Sequence, residues 1–271
     1  MKPRSVLFAA AALLLFTRLA EAQSFNQFVA FGDSTTDTGW FAHASTGIPE
    51  ANALVASSLA QGGNAHFTGP GSGNAQILAG FFGLSANAAN TPGGTNYAIG
   101  GALSDSALAP LLGPGVENLF TILSGHPNPS LPGTVTQIQN YLASANGLAN
   151  PNALYLIGSG GNDASVASLG ISLGLLTPAQ ASAFISAEAA ALVKGVAQLQ
   201  AAGGRYIVVT NEYVPPSADA TAVAFGKTLA SATWGGSCRG GSQFRSSGYS
   251  FGHCRRGKRS SHVRNHRADN F

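Results

Sequence analysis

Charged side chains are scarce in this sequence: they make up 9% of its 271 residues, and they are unevenly spread. Residues 23–236 carry three basic and nine acidic side chains, a net charge of −6. Residues 237–271 carry eight basic side chains and one acidic side chain, a net charge of +7. The positive charge of the whole chain therefore belongs to this tail, and we expect no nucleic-acid-binding surface on the rest of the protein.

Long apolar runs and cysteines are also missing from residues 23–236. No stretch there reaches the roughly 18 uninterrupted apolar residues that a membrane-spanning helix needs, so we predict no transmembrane helix. The two cysteines, Cys238 and Cys254, both lie in the basic tail. A disulfide or a thiolate ligand therefore has to involve the tail.

The first 22 residues have the pattern of a signal peptide. Lys2 and Arg4 form a charged start, residues 6–16 an apolar core, and Ala20-Glu21-Ala22 an A-x-A cleavage site. The core is too short to span a bilayer as a helix. We expect an exported protein that begins at Gln23 after cleavage, with an uncleaved anchor as the alternative. After export the protein is expected to be secreted, to stay in the periplasm or to associate with an outer membrane.

Residues 23–236 are long enough for one domain with a sizeable core, and their pattern alternates between strands and helices. Strands are predicted at residues 28–31, 96–99, 153–157 and 206–210. Helices are predicted at residues 51–60, 74–82, 134–144, 178–201 and 220–232. This order predicts an α/β fold, a three-layer α/β/α sandwich with a mainly parallel sheet.

Three of the predicted strands end in loops that carry glycines or polar residues. Ser34 follows the first strand, Gly100-Gly101 the second, and Gly158–Asp163 the third. The carboxyl ends of parallel strands lie on one edge of a sheet, where α/β proteins bind their ligands. Acyl transfer needs a nucleophile beside N–H donors that stabilise an oxyanion, and these loops supply both kinds of group. An ordinary Gly-Asp-Ser turn is the alternative for Ser34.

These loops resemble successive sequence blocks of one enzyme family. The segments are Gly32-Asp33-Ser34-Thr35-Thr36-Asp37-Thr38-Gly39, Asn96-Tyr97-Ala98-Ile99-Gly100-Gly101-Ala102 and Gly160-Gly161-Asn162-Asp163. In this order they are similar to blocks of the GDSL-type esterases and lipases, also called SGNH hydrolases, in their secreted bacterial lipase-like branch. Residues 28–163 carry the resemblance.

The resemblance implies an SGNH hydrolase-like fold and a site for ester hydrolysis. Ser34 is the implied nucleophile, and the backbone N–H of Gly100 and the side-chain amide of Asn162 are the implied oxyanion donors. Gly100 is preferred to Gly101 on motif alignment alone. The implied substrate is a lipid or small acyl ester, with no metal and no organic cofactor. Asp37 is expected to accept hydrogen bonds from nearby backbone amides rather than to act as a catalytic acid.

The general base that a serine nucleophile needs is missing from its expected place. In the resembled family it comes from a late D-x-x-H block, and no Asp in this chain has a His three residues later. His253, His262 and His266 follow Ser, Arg and Val at that spacing. His43, His66 and His126 are the remaining possible bases, although lone histidines in loops more often serve packing or lie at the surface.

The basic tail allows four interpretations. Cys238 and Cys254 can form a disulfide in an exported protein. Together with the tail histidines they can bind zinc, although their spacing matches no common zinc finger. The tail can also be a basic arm that binds anionic lipid or nucleic acid. We favour the fourth interpretation, that the reading frame changed near Gly236, which predicts a disordered tail and an α/β domain that is incomplete at its C-terminus, with one uncovered sheet edge.

These observations predict a signal peptide at 1–22, an SGNH hydrolase-like domain at 23–236 and a basic tail at 237–271. The predicted function is an exported serine hydrolase acting on carboxylic esters, impaired because the Asp/His block is absent. A noncatalytic exported binding protein that uses the same cleft or the basic tail is the alternative. The sequence makes no prediction of the oligomeric state.

Overall fold

A computed structural model of the protein describes residues 24–46, 49–63, 71–113 and 131–210, together with the backbone of residues 245 and 246. The helices in these ranges are α1 (Pro49–Ala60), α2 (Asn74–Phe81), α3 (Thr134–Ser144), α4 (Gly161–Ser172) and α5 (Pro178–Ala201). The strands are β1 (Gln27–Gly32), β2 (Ala153–Gly158), β3 (Tyr206–Thr210) and β4 (Arg245–Ser246). Short 3-10 helices cover Trp40–Ala42 and Ser106–Leu112. The predicted signal peptide and the predicted helix at 220–232 lie outside the described residues.

The four strands form one parallel sheet in the order β1-β2-β3-β4. In its register Gly32 pairs with Gly158, and Gly158 pairs with Thr210. The carboxyl ends of β1, β2 and β3 therefore meet at one edge of the sheet. The continuous apolar sequence of β2 fits this central place, because a strand covered on both faces buries every side chain, as all six residues of β2 do.

Helices cover both faces of the sheet. On one face Phe31 and Ile157 belong to a core that includes Ile138 of α3, Val166 of α4 and Phe184 of α5. On the opposite face, side chains of β1 and β2 pack against two alanines of α2 and against Ala86; the buried members are Phe28, Ala30, Ala75, Ala79, Ala86, Leu154 and Leu156. This arrangement confirms the predicted α/β fold with a parallel sheet between helical layers.

The predicted strand at 96–99 is wrong as a regular strand. The segment runs beside β1, and the N–H groups of Tyr97 and Ile99 donate to the carbonyls of Ala30 and Gly32. Its bridge to β1 is isolated, however, at Asn96. The Asn96 side chain accepts the N–H of Ala98 at 3.0 Å, so a local hydrogen bond competes with a regular strand ladder.

Two residues of the predicted tail pair with the sheet. Arg245 and Ser246 form β4, which lies parallel to Val208 and Val209 of β3. An open strand edge has unpaired N–H and C=O groups, and β4 covers part of this edge of β3. The predicted uncovered edge is therefore paired at these two residues. The rest of the tail lies outside the described residues, and its predicted disorder stays a prediction.

Candidate active site

The loop after β1 places Ser34 at the carboxyl edge of the sheet. Gly32 has a φ of +144°, and a Cβ atom there would clash with the carbonyl of Gly158 in β2. The N–H of Asp33 donates to that same carbonyl at 3.0 Å, and the N–H of Asp37 donates to the Asp33 carbonyl at 2.9 Å. The chain therefore turns tightly at residues 33–37. Ser34 lies in this turn and is half-buried.

Asp37 joins this loop to the second one. The residue is 1% exposed. Oδ1 accepts the N–H groups of Gly39 and Trp40 at 2.8 and 2.9 Å, and Oδ2 accepts the N–H of Gly100 at 2.9 Å. These bonds confirm the prediction that Asp37 accepts hydrogen bonds from backbone amides.

The same hydrogen bond bears on the predicted role of Gly100. Its N–H donates to the buried Asp37 carboxylate, so this hydrogen is already bonded within the protein. The next residue, Gly101, has a φ of +83° and is partly exposed, whereas Gly100 is buried. A positive φ is a conformation that glycine adopts without strain. Gly101 is therefore the glycine of this pair with an accessible backbone.

Asn162 lies in the first turn of α4, directly after the β2 loop. Its side-chain Nδ2 donates to the carbonyl of Ala102 at 2.9 Å, which leaves the second N–H of the amide for another acceptor. The side chain is half-buried. The third loop is thus tied to the second one beside Gly101, and all three predicted loops meet at one edge of the sheet.

Among the predicted substitute bases, His43 lies within the described residues. It follows the 3-10 helix Trp40–Ala42, and its side chain is exposed. His66, His126 and the three tail histidines lie outside the described residues. The described part of the chain also contains no group of three or more His, Cys, Asp or Glu side chains that could hold a metal ion.

A group of buried acids lies beneath these loops. Asp163, next to Asn162, accepts the N–H of Ser104 at 3.1 and 3.2 Å with its two oxygens. Burial, with a contribution from the charge of Asp33, raises the pKa of Asp163 to about 6. Burial also raises the pKa of Asp33, although hydrogen bonds from Thr35 and Gly161 oppose the shift. Acidic side chains in a desolvated site favour their neutral forms.

Glu188 of α5 is a member of this group that the sequence analysis missed. Its side chain is fully buried, and Oε2 accepts the N–H of Asp105 at 2.6 Å. Burial and then the charge of Asp163 raise the pKa of Glu188. A signal for it was present in the sequence, because Glu188 lies four residues from both Phe184 and Leu192. That spacing puts a charged residue on the apolar stripe of a helix.

Comparison with known families gives a match over most of the chain. The model of the family described as GDSL-like Lipase/Acylhydrolase matches residues 28–236. Comparison with curated proteins finds no significant match. The match contains β1 from Phe28 onward, the three loops and all five helices described above. No described helix is long and apolar enough to cross a membrane. The chain therefore belongs to the GDSL-like lipase/acylhydrolase family, whose members are hydrolases of ester and acyl substrates.

Proposed function

We propose that this protein descends from exported serine esterases that use Ser34 as the nucleophile. The observation that carries the proposal is the meeting of three loops at one sheet edge, joined by the Asp37–Gly100 and Asn162–Ala102 hydrogen bonds. Because these bonds fix the loops to one another, the donors on them are held ready before a substrate binds. Such preorganisation of N–H groups is a major source of catalysis in acyl transfer.

In the proposed reaction, Ser34 Oγ attacks the carbonyl carbon of a lipid or small acyl ester. The proton of Ser34 passes to a base, and the carbonyl oxygen becomes an oxyanion. The free N–H of the Asn162 amide and the backbone N–H of Gly101 donate to this oxyanion, with Gly101 in place of the predicted Gly100. The leaving alkoxide takes the proton, and water then hydrolyses the acyl-enzyme.

We also propose that the esterase activity of this chain is weak. The sequence contains no D-x-x-H, so the usual base and its orienting carboxylate are not supplied from one block. In a serine protease with a comparable triad, removal of the histidine lowers kcat on the order of a millionfold. We therefore expect the remaining rate enhancement to come mainly from stabilisation of the oxyanion, with little contribution from a base that deprotonates Ser34.

Hydrolysis of a p-nitrophenyl ester by the full chain and by Ser34→Ala tests this function. We expect slow hydrolysis that the Ser34→Ala variant loses, because the oxyanion donors still stabilise attack by Ser34. Thr35→Ala is a matched control, since Thr35 lies in the same turn and its hydroxyl bonds Asp33 rather than substrate. Hydrolysis at the same rate in Ser34→Ala contradicts the assignment of Ser34 as the nucleophile. Fast turnover that depends on Ser34 contradicts the impairment and means that another residue serves as the base.

A noncatalytic binding protein is the second candidate, and the absence of D-x-x-H favours it. The polar cleft formed by the three loops would then hold an acyl ligand without cleaving it. Binding of a nonhydrolysable ester analogue that is equal in the full chain and in Ser34→Ala, together with no ester turnover, supports this candidate. Turnover that depends on Ser34 excludes it.

A further inference from the structure

The loop at residues 100–105 is tied to its surroundings at nearly every residue. Gly100 bonds Asp37 and Ala102 bonds Asn162, as described above. Ser104 donates to Asp163 through its N–H and, at 3.3 Å, through its hydroxyl. The next N–H, that of Asp105, donates to Glu188. Two acids, Asp163 and Glu188, therefore hold the end of the loop that contains Gly101.

Glu188 and Asp163 also contact each other. Their carboxyl groups lie within hydrogen-bond distance, and both side chains are fully buried. Two deprotonated carboxylates have no hydrogen to share, so a hydrogen bond between them requires one proton. Glu188 Oε1 is buried and receives a hydrogen from none of the described residues. A proton on Oε1 gives this atom a partner, namely the Asp163 carboxylate.

The charges around the pair favour a neutral acid at Glu188. Among the described residues, the ionisable groups that face it from neighbouring segments are Asp163 of α4, Asp105 of the second loop and, next to Asp163, Asp33 of the first loop. All are acids. The described lysine and arginine side chains, Lys194 and Arg205, are exposed rather than buried with them. A buried carboxylate without a cationic partner is costly, and it takes up a proton instead.

We propose that Glu188 is a positioning residue of the oxyanion site. As a neutral carboxylic acid it donates a hydrogen to Asp163 and accepts the N–H of Asp105, and this holds the Gly101 loop against the loop of Asn162. Glu188 contacts neither substrate nor Ser34 in this role. The inference rests on the proposed function in one respect, the assignment of Gly101 and Asn162 as oxyanion donors.

Infrared spectroscopy at neutral pH tests the protonation of Glu188. The carbonyl band of a protonated carboxylic acid is expected in the full chain and absent from Glu188→Gln. An Asp163→Asn variant is the matched control, because its new amide oxygen still accepts the Glu188 hydrogen and the band persists. If the full chain and Glu188→Gln have the same carboxylic-acid bands, Glu188 is not the neutral acid and the proposal fails.

Native-state hydrogen exchange tests the positioning. In Glu188→Ala the amides of Ser104 and Asp105 are expected to exchange about tenfold faster or more, because one or two buried hydrogen bonds are lost. Glu188→Gln keeps a donor and an acceptor in place and is expected to exchange like the full chain. Leu192→Ala, a buried position one turn further along α5, controls for a general loss of stability. Equal exchange at Ser104 and Asp105 in Glu188→Ala and Glu188→Gln overturns the proposal.

Both measurements are made without substrate, so they separate this inference from the proposed function. If Glu188→Ala does not fold, the infrared comparison of the full chain with Glu188→Gln still decides the protonation. If Ser34→Ala leaves ester hydrolysis unchanged but the band and the exchange pattern appear, the positioning role of Glu188 is supported and the assignment of Ser34 as the nucleophile is wrong. If hydrolysis depends on Ser34 and Glu188→Gln lacks the expected spectral change, only the proposed role of Glu188 is wrong.

Discussion

At the scale of single residues, Asp37 shows how one buried carboxylate shapes the candidate site. It accepts backbone N–H groups from its own loop and from Gly100, which lies 63 residues away along the chain. Because the Gly100 N–H is used in this way, the proposed function assigns the oxyanion donor to Gly101 instead. The carboxylate therefore fixes which backbone N–H of the glycine pair is already bonded within the protein.

Replacement of Asp37 by Ala is expected to destabilise the protein by about 2–5 kcal/mol, since it leaves several buried N–H groups without an acceptor. Asp105→Ala is the control, because the half-buried Asp105 carboxylate accepts the N–H of Ala107 at the start of a 3-10 helix. We expect the control to cost about 1 kcal/mol. Urea unfolding measures both variants. Equal losses of unfolding free energy in the two variants contradict this role of Asp37.

The site residues differ in how far the sequence predicts them. Ser34 and Asn162 each follow a strand closely, so the parallel sheet alone brings their loops together. Glu188 depends on Asp105, a partner 83 residues away, and no local pattern gives that pairing. The choice between Gly100 and Gly101 depends on one long-range hydrogen bond. Local signals therefore predict the loops, and tertiary contacts decide which atoms are available.

At the scale of secondary-structure elements, prediction succeeds where local signals agree. The predicted bounds of α3, α5 and β3 equal those in the structure. α5 begins with a capping box, in which Thr177 and Gln180 bond each other's backbone N–H, and Pro178 follows the cap. α4 was not predicted, because its sequence is rich in Gly, Ser and Ala and has little apolar periodicity.

The cap of α5 gives a prediction at this scale. Thr177→Ala removes the hydroxyl that accepts the N–H of Gln180, and we expect a loss of about 1 kcal/mol in the free energy of unfolding. Thr177→Ser keeps a hydroxyl at the cap and is expected to stay within a few tenths of a kcal/mol of the full chain. Urea denaturation followed by circular dichroism measures both. If the two variants unfold at the same urea concentration, the cap does not stabilise α5.

At the scale of the whole molecule, two properties of the chain change near Gly236. The family match ends at that residue. The Ala-rich composition stops at the same place and basic residues take over. β4, which comes from the basic tail, contributes two residues at the edge of β3. A short strand there fits a sheet edge that would otherwise leave backbone groups unpaired.

The frame-change hypothesis predicts a specific DNA sequence around codon 236. One of the two other reading frames is expected to continue as Ala-rich sequence and to encode a D-x-x-H block, because the sequence contains none. If neither frame encodes such a block, the hypothesis is wrong. A chain joined into the restored frame is expected to hydrolyse p-nitrophenyl esters faster by several orders of magnitude, since the histidine activates Ser34. Ser34→Ala in the restored chain is the control, and it should remove the gain completely.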